Sequence, residues 1–195
     1  MIRIGAVRRA CLCLCLALFG GLVSRPAHAD EAALWTALRS GEHLVLMRHA
    51  LAPGTGDPSS FVIDDCGTQR NLSDEGRNQA RRIGARFRDN GIATARVFSS
   101  QWCRCLETAE LLDLGPVEPL PALNSFFRNR ERAEPQTRAV EDWIAGQDLA
   151  EPVVLVTHQV NVTALTGVFP ASGEMLVLRR SGGGEMSLVG SIRID

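Results

Sequence analysis

Two kinds of hydrophobic pattern alternate along this chain. His43-Leu44-Val45-Leu46-Met47 and Pro152-Val153-Val154-Leu155-Val156-Thr157 are nearly unbroken apolar runs, as expected of strands buried on both faces of a parallel sheet. Arg96-Val97-Phe98-Ser99 is a shorter run of the same kind, and another short strand is expected near Val117 to Leu120. Between these runs the apolar residues recur at helical spacing. Glu31 to Leu38 predicts a short helix with Trp35 and Leu38 on its apolar edge. Ser73 is a suitable N-cap, with Asp74 and Glu75 in the first turn of a helix that stops at Asn90-Gly91. Gly76, Ala80, Ile83, Gly84 and Phe87 form its inner face, and the glycines are expected to let it lie close to a sheet. Ser99 or Ser100 is expected to cap a helix through Leu112, and Pro135 to Ile144 and Val160 to Val168 predict two more. Phe126 to Glu134 reads as irregular. Glu174 to Arg179 and Glu185 to Ile194 read as strands joined through Ser181-Gly182-Gly183-Gly184, a hairpin signal.

Strands alternating with helices predict an α/β fold, a three-layer α/β/α arrangement on a mainly parallel central sheet. The start of the chain reads as an address. Arg3, Arg8 and Arg9 precede an apolar run from Ala10 to Val23, and Ala27-His28-Ala29 supplies a small-x-small cleavage pattern. The run is short of the roughly 20 residues of a membrane span, so residues 1–29 are expected to be a cleaved signal peptide rather than a stable anchor. Cys11, Cys13 and Cys15 lack a lipoprotein-type context. Residues 30–195 are then one domain of 166 residues in a periplasmic or secreted protein. The leader holds four of the 21 basic residues and none of the 22 acidic ones, which leaves the remainder at −5. An acidic domain is a poor partner for nucleic acid or an anionic membrane.

Cys66, Cys103 and Cys105 remain after cleavage. A bridge within Cys103-Arg104-Cys105 would be strained, because helical positions two apart diverge. A bridge from Cys66 to Cys103 or to Cys105, and three free buried thiols, both stay open.

Candidate chemistry gathers at strand ends. Arg48-His49 follows the first strand, Arg104 opens the helix after the second, and His158 follows the most apolar strand. In parallel α/β sheets such positions face one crevice. Arginines offer paired donors to phosphate oxygens, and an imidazole is a nucleophile near neutral pH. Any one of these residues alone is unremarkable; their joint placement predicts a cationic pocket for a tetrahedral anion. The stretch from Ala50 to Asn71 is long for a connection and rich in Pro and Gly, a length often associated with function.

Leu46-Met47-Arg48-His49-Ala50 resembles the R-H-G signature of the histidine phosphatase (phosphoglycerate-mutase-like) superfamily. Asn71-Leu72-Ser73-Asp74-Glu75-Gly76-Arg77-Asn78-Gln79-Ala80 is similar to its L-[ST]-x-x-G-x-x-Q-A helix start. Ser99-Ser100-Gln101-Trp102-Cys103-Arg104-Cys105-Leu106-Glu107-Thr108-Ala109 resembles its S-x-x-x-R-x-x-E-T-A segment, and Val156-Thr157-His158 its second-histidine strand. The four segments occur in the expected order between Leu44 and Leu165. The resemblance implies that His49 becomes phosphorylated, that Arg48 and Arg104 hold the phosphoryl oxygens, and that His158 stabilises the transition state. Thr55, Arg70 and Gln159 are expected to line the substrate rim.

Two departures stand out. Ala50 replaces the usual Gly, and the L-x-E proton donor of many members is missing from Leu120-Pro121-Ala122-Leu123-Asn124, where Asn124 cannot give up a proton. Asp64, Asp65, Glu131 and Glu134 are candidate substitutes. The expectation is an exported phosphatase that needs no metal or cofactor and acts on a small phosphorylated substrate. A non-catalytic phosphoester-binding protein is the alternative, disfavoured because binding alone requires neither His49 nor His158. Scattered Cys and His lack zinc-site spacing, and a thiol oxidoreductase is disfavoured further by the geometry of Cys103 and Cys105.

Overall fold

A computed structural model describes residues 30–182 and 184–194; the expected signal peptide lies outside them. The strands are β1 (His43–Arg48), β2 (Arg96–Ser99), β3 (Val117–Pro119), β4 (Val153–Thr157), β5 (Met175–Arg180) and β6 (Met186–Ile192). They form one sheet in the order β3-β2-β4-β1-β5-β6. The first four are parallel, and β5 and β6 extend the sheet antiparallel beyond β1. The helices are α1 (Glu31–Arg39), α2 (Asp74–Asp89), α3 (Cys103–Leu112), α4 (Ala133–Ala145) and α5 (Gln159–Thr166).

Strand alternation builds two cores from one sheet. Val45, Met47, Val97, Val154 and Val156 point to one side, where they meet Leu34, Trp35 and Leu38 of α1, Ile83 and Phe87 of α2, and Ala109 and Leu112 of α3. Leu44, Leu46, Phe98, Val153 and Leu155 point to the other and meet Val140 and Ile144 of α4 and Val162 of α5. Burial on both faces is why β1 and β4 read as unbroken apolar runs. The Trp35 and Phe87 rings meet edge to face at 5.2 Å, locking α1 to α2.

Ser73 caps α2, its hydroxyl accepting from the Gly76 N–H at 3.0 Å. The α2 glycines do a different job from the one expected. A Cβ at Gly76 would lie 2.0 Å from the Leu51 carbonyl oxygen, and one at Gly84 would lie 2.0 Å from that of Leu112. They admit the backbone after β1 and the end of α3, not the sheet. The expected Ser99 or Ser100 cap of α3 is also corrected. Trp102 occupies the N-cap without a side-chain bond, and α3 starts only at Cys103. The stretch expected to be irregular contains a 3-10 turn, Arg130–Arg132, and α4 begins at Ala133. Pro135 then sits in the first turn, where its missing N–H is harmless. Cys66 pairs with Cys103, and Cys105 is free and buried. Burial pushes the Cys105 thiol up to about 12, which makes it chemically inert at neutral pH.

Candidate active site

Because β2, β4 and β1 are neighbours, their carboxyl ends deliver Arg104, His158 and His49 to one place. All seven residues singled out from the sequence (Arg48, His49, Thr55, Arg70, Arg104, His158 and Gln159) line a single cavity of about 510 Å³. His49 and His158 are almost fully buried, and their rings lie 5.6 Å apart, edge to face.

The tautomer of His49 follows from its neighbour. Nδ1 lies 2.7 Å from the Ala50 carbonyl oxygen, which can only accept, so Nδ1 carries the proton and Nε2 keeps its lone pair. Arg104 Nε donates to that Nε2 at 3.2 Å. Burial, reinforced by the charges of Arg104, Arg48 and Arg70, pushes the His49 imidazole well below its ordinary range, so it is neutral at pH 7. His158 is neutral for the same first reason, burial, and then by repulsion from Arg104. Its Nδ1 faces Arg104 Nη2 at 3.4 Å, so Nε2 carries the proton toward Ser100 Oγ at 2.8 Å. Ser100 Oγ in turn faces Asn124 Oδ1 at 3.3 Å.

Ala50 takes the place of a glycine without strain. Its backbone φ is not positive, its N–H donates to Thr108 Oγ1 at 3.0 Å, and it is fully buried. Asn124 stands behind His158 rather than in the cavity. Its Oδ1 accepts from the Gln101 N–H at 2.9 Å, its Nδ2 donates to Gln101 Oε1 at 2.8 Å, and Gln136 donates to its backbone carbonyl. It is a structural amide that orients the loop supporting His158. None of Asp64, Asp65, Glu131 and Glu134 reaches the cavity either. Asp65 caps a 3-10 turn through the Gly67 N–H, and Glu134 pairs with Arg138.

The cavity carboxylate is Asp57, a residue that the sequence does not mark. Its Oδ1 accepts from Arg104 Nη1 at 2.7 Å and from the Arg70 N–H at 3.1 Å; its Oδ2 accepts from Trp102 Nε1 at 3.1 Å and Arg104 Nη2 at 3.2 Å. Partial burial works to raise the carboxyl, but Arg104 and these N–H donors outweigh it and hold it below its usual range. Among the described residues, five arginines line the cavity with this one carboxylate: Arg48, Arg70, Arg104, Arg128 and Arg130. Burial, with repulsion from Arg104, lowers Arg48 and brings Arg70 down to about 10, so both stay charged at neutral pH. Arg70 Nε donates to the Gly56 carbonyl at 2.8 Å, and Arg128 donates to the Asp57 carbonyl. Arg48 Nη1 donates to Pro170 O at 3.1 Å, whereas the buried Arg48 Nε has no partner among the described residues. Thr55 adds only lining, and Gln159 holds Thr163 Oγ1 at 2.8 Å. Among the described residues no group of three or more His, Cys, Asp or Glu side chains is disposed to hold a metal ion.

A mainly parallel α/β sheet whose strand ends assemble two neutral histidines and several arginines forms a buried cationic pocket suited to an oxyanion. The model of the histidine phosphatase superfamily (branch 1) matches residues 44–130, which carry Arg48, His49 and Arg104. Over these residues the chain is similar to that superfamily. No curated protein matches it. Solved structures that resemble it include the protein histidine phosphatase SixA complexed with tungstate, at 16% identity and TM-score 0.54, covering 77% of this chain and 96% of that one. A mycobacterial glucosyl-3-phosphoglycerate phosphatase complexed with VO3 aligns at 17% identity and TM-score 0.54, covering 75% and 96%. Phosphoserine phosphatase from Entamoeba histolytica, bound to 3-phosphoglyceric acid, aligns at 13% identity and TM-score 0.56, covering 78% and 98%. At these identities the likeness is one of fold.

Proposed function

We propose that this protein is a phosphatase that hydrolyses a phosphoester or phosphoanhydride through a phosphohistidine on His49, and that residues 1–29 direct its export. The observation that carries the reading is the unprotonated Nε2 of His49, set beside the Arg104 guanidinium in a buried cationic cavity. In the first step Nε2 attacks phosphorus and forms an N–P bond while the P–O bond to the leaving group breaks. The leaving oxygen takes the electron pair and a proton from solvent. Arg48, with its unpartnered Nε, and Arg104 neutralise the phosphoryl oxygens, and His158, its ring 5.6 Å from that of His49, completes the pocket. Water then attacks phosphorus, and the imidazole leaves as neutral His49. The tungstate and VO3 held by two proteins of the same fold are consistent with a pocket for phosphoryl-like oxyanions.

Brief reaction with phosphorus-labelled substrate, quenched in alkali, should leave acid-labile label on the protein, in EDTA as well as without it. His49→Ala should abolish that label. Label persisting in the variant, or label that requires an added divalent metal, would overturn the mechanism.

A further inference from the structure

We propose that Asp57 is a positioning residue for the reaction, setting the Arg104 guanidinium so that one edge faces the transferring phosphoryl group. The inference rests on the phosphatase reading above. A guanidinium has two edges that can each grip an oxyanion: the Nη1/Nη2 end and the Nε/Nη2 side. Asp57 takes the end of Arg104 with both oxygens, at 2.7 and 3.2 Å. The side edge is left facing the two catalytic imidazoles, Nε toward His49 Nε2 at 3.2 Å and Nη2 toward His158 Nδ1 at 3.4 Å. A phosphoryl group on His49 would lie between these rings, and its oxygens would take over those two N–H donors. Without Asp57, the end of Arg104 keeps only the Arg70 carbonyl, 3.3 Å from Nη1. The planar fork could then turn about its long side chain and present either edge, or neither, to the reacting atoms.

Two other roles for a cavity carboxylate fit the contacts less well. A proton donor needs a proton and a lone direction toward the leaving oxygen. Both Asp57 oxygens already accept two N–H bonds each, from Arg104 at both and from Arg70 and Trp102 at one each. An occluding carboxylate, displaced when phosphate arrives, would sit on the side edge facing His49. Asp57 sits on the other edge, and Arg128 clamps its backbone carbonyl. Its charge also offsets one of the arginines crowded around the cavity, so the cationic cluster is tolerable in the unliganded protein.

The test is a mutant cycle in the full chain. Asp57→Asn keeps the shape but loses the charge and one pair of acceptor directions. It should lower the single-turnover rate of His49 phosphorylation roughly 100-fold, the scale of a small misplacement of a catalytic group, and weaken binding of inorganic phosphate. Asp57→Glu should recover part of the rate. In an Arg104→Ala background, Asp57→Asn should cost less than threefold, because its effect runs through Arg104. The Arg104 Nε–H resonance should be sharp by NMR in the wild type and should broaden or disappear in Asp57→Asn. Equal cost in both backgrounds would show Asp57 acting directly on substrate and overturn the proposal. Tighter phosphate binding in Asp57→Asn would overturn it in favour of an occluder. Should Asp57→Asn not fold, the cycle and the resonance are read with Asp57→Glu, and an unaltered resonance with unaltered rate overturns the proposal. The resonance does not depend on turnover. Wild-type protein that never labels His49 therefore defeats the phosphatase reading separately from the role of Asp57.

Discussion

His49 and His158 are kept neutral by burial among cationic neighbours, which suits a nucleophile and makes the fold acid-sensitive. An unfolded imidazole takes up a proton as pH falls below about 6.5, while these two do not. Below that pH the unfolded state binds more protons than the native state, so stability rises with pH there and is lost as pH falls. Asp57 adds to the same trend further down: its carboxyl is held low in the fold, so its contribution is complete above about 3.9 and is lost in stronger acid. Urea unfolding should give a free energy that is level from pH 7 to 8. From pH 6.5 downward it should fall with a slope of up to about 1.4 kcal/mol per pH unit for each histidine. His49→Asn with His158→Asn should flatten that slope; the same slope in the double variant would mean the imidazoles are not its source. Both histidines and Arg104 could be read from the sequence because each stands at a position that a strand or helix end defines. Asp57 could not. It lies in irregular chain, where no periodicity states which way a side chain points, and only the tertiary course of the loop brings it to Arg104.

The same contrast holds for whole elements. Strands β1 and β4, and the capped helix α2, announce themselves through apolar runs and a Ser73 signal that the fold uses as written. The 51–71 connection carries no such signal, and its shape comes from contacts distant in sequence. Arg70 ties it to the Ala52 and Gly56 carbonyls, Gln69 Oε1 accepts from the Cys103 N–H at 3.0 Å, and the Cys66–Cys103 bridge fixes it to the start of α3. That bridge joins the residue next to Arg104 to the loop bearing Asp57. Replacing both cysteines by serine should cost about 2 to 4 kcal/mol of stability, within the usual range for a native disulfide. Activity should fall as well, under conditions where both forms remain folded, and dithiothreitol should lower wild-type activity without affecting the double variant. Equal activity in oxidised, reduced and serine forms would show that the loop keeps its place without the bridge. The sequence left the pairing of Cys66 open because Cys103 and Cys105 lie only two residues apart. The helix decides, turning Cys105 into the core against the Thr157 carbonyl, 3.6 Å from its sulfur.

At the scale of the whole molecule, cavity shape and missing acid act on the same property, the choice of leaving group. The cavity is far larger than a phosphoryl group needs. Its outer walls are aromatic: Phe61 stacks on Trp102 at 4.9 Å, Arg130 lies 5.1 Å over the Phe127 ring, and the exposed Phe169 closes another side. Flat or apolar leaving groups can pack there. The chemistry favours the same compounds for an independent reason. In a loose phosphoryl-transfer transition state, negative charge builds on the leaving oxygen, and a positioned acid that relieves it typically contributes about 10² to 10⁴-fold. Asn124 supplies no proton, and Asp57 is ionised with both oxygens engaged by donors. Single-turnover phosphorylation of His49 should therefore slow steeply as the leaving-group pKa rises through a series of aryl and alkyl phosphates. Phe127→Ala should weaken binding of the aryl members severalfold while leaving the slope unchanged, which separates packing from proton transfer. A nearly flat dependence in the wild type would require a proton donor at the leaving oxygen. Asp57 is the only carboxylate among the described residues that lines the cavity, so that result would recast it from a holder of Arg104 into the acid itself.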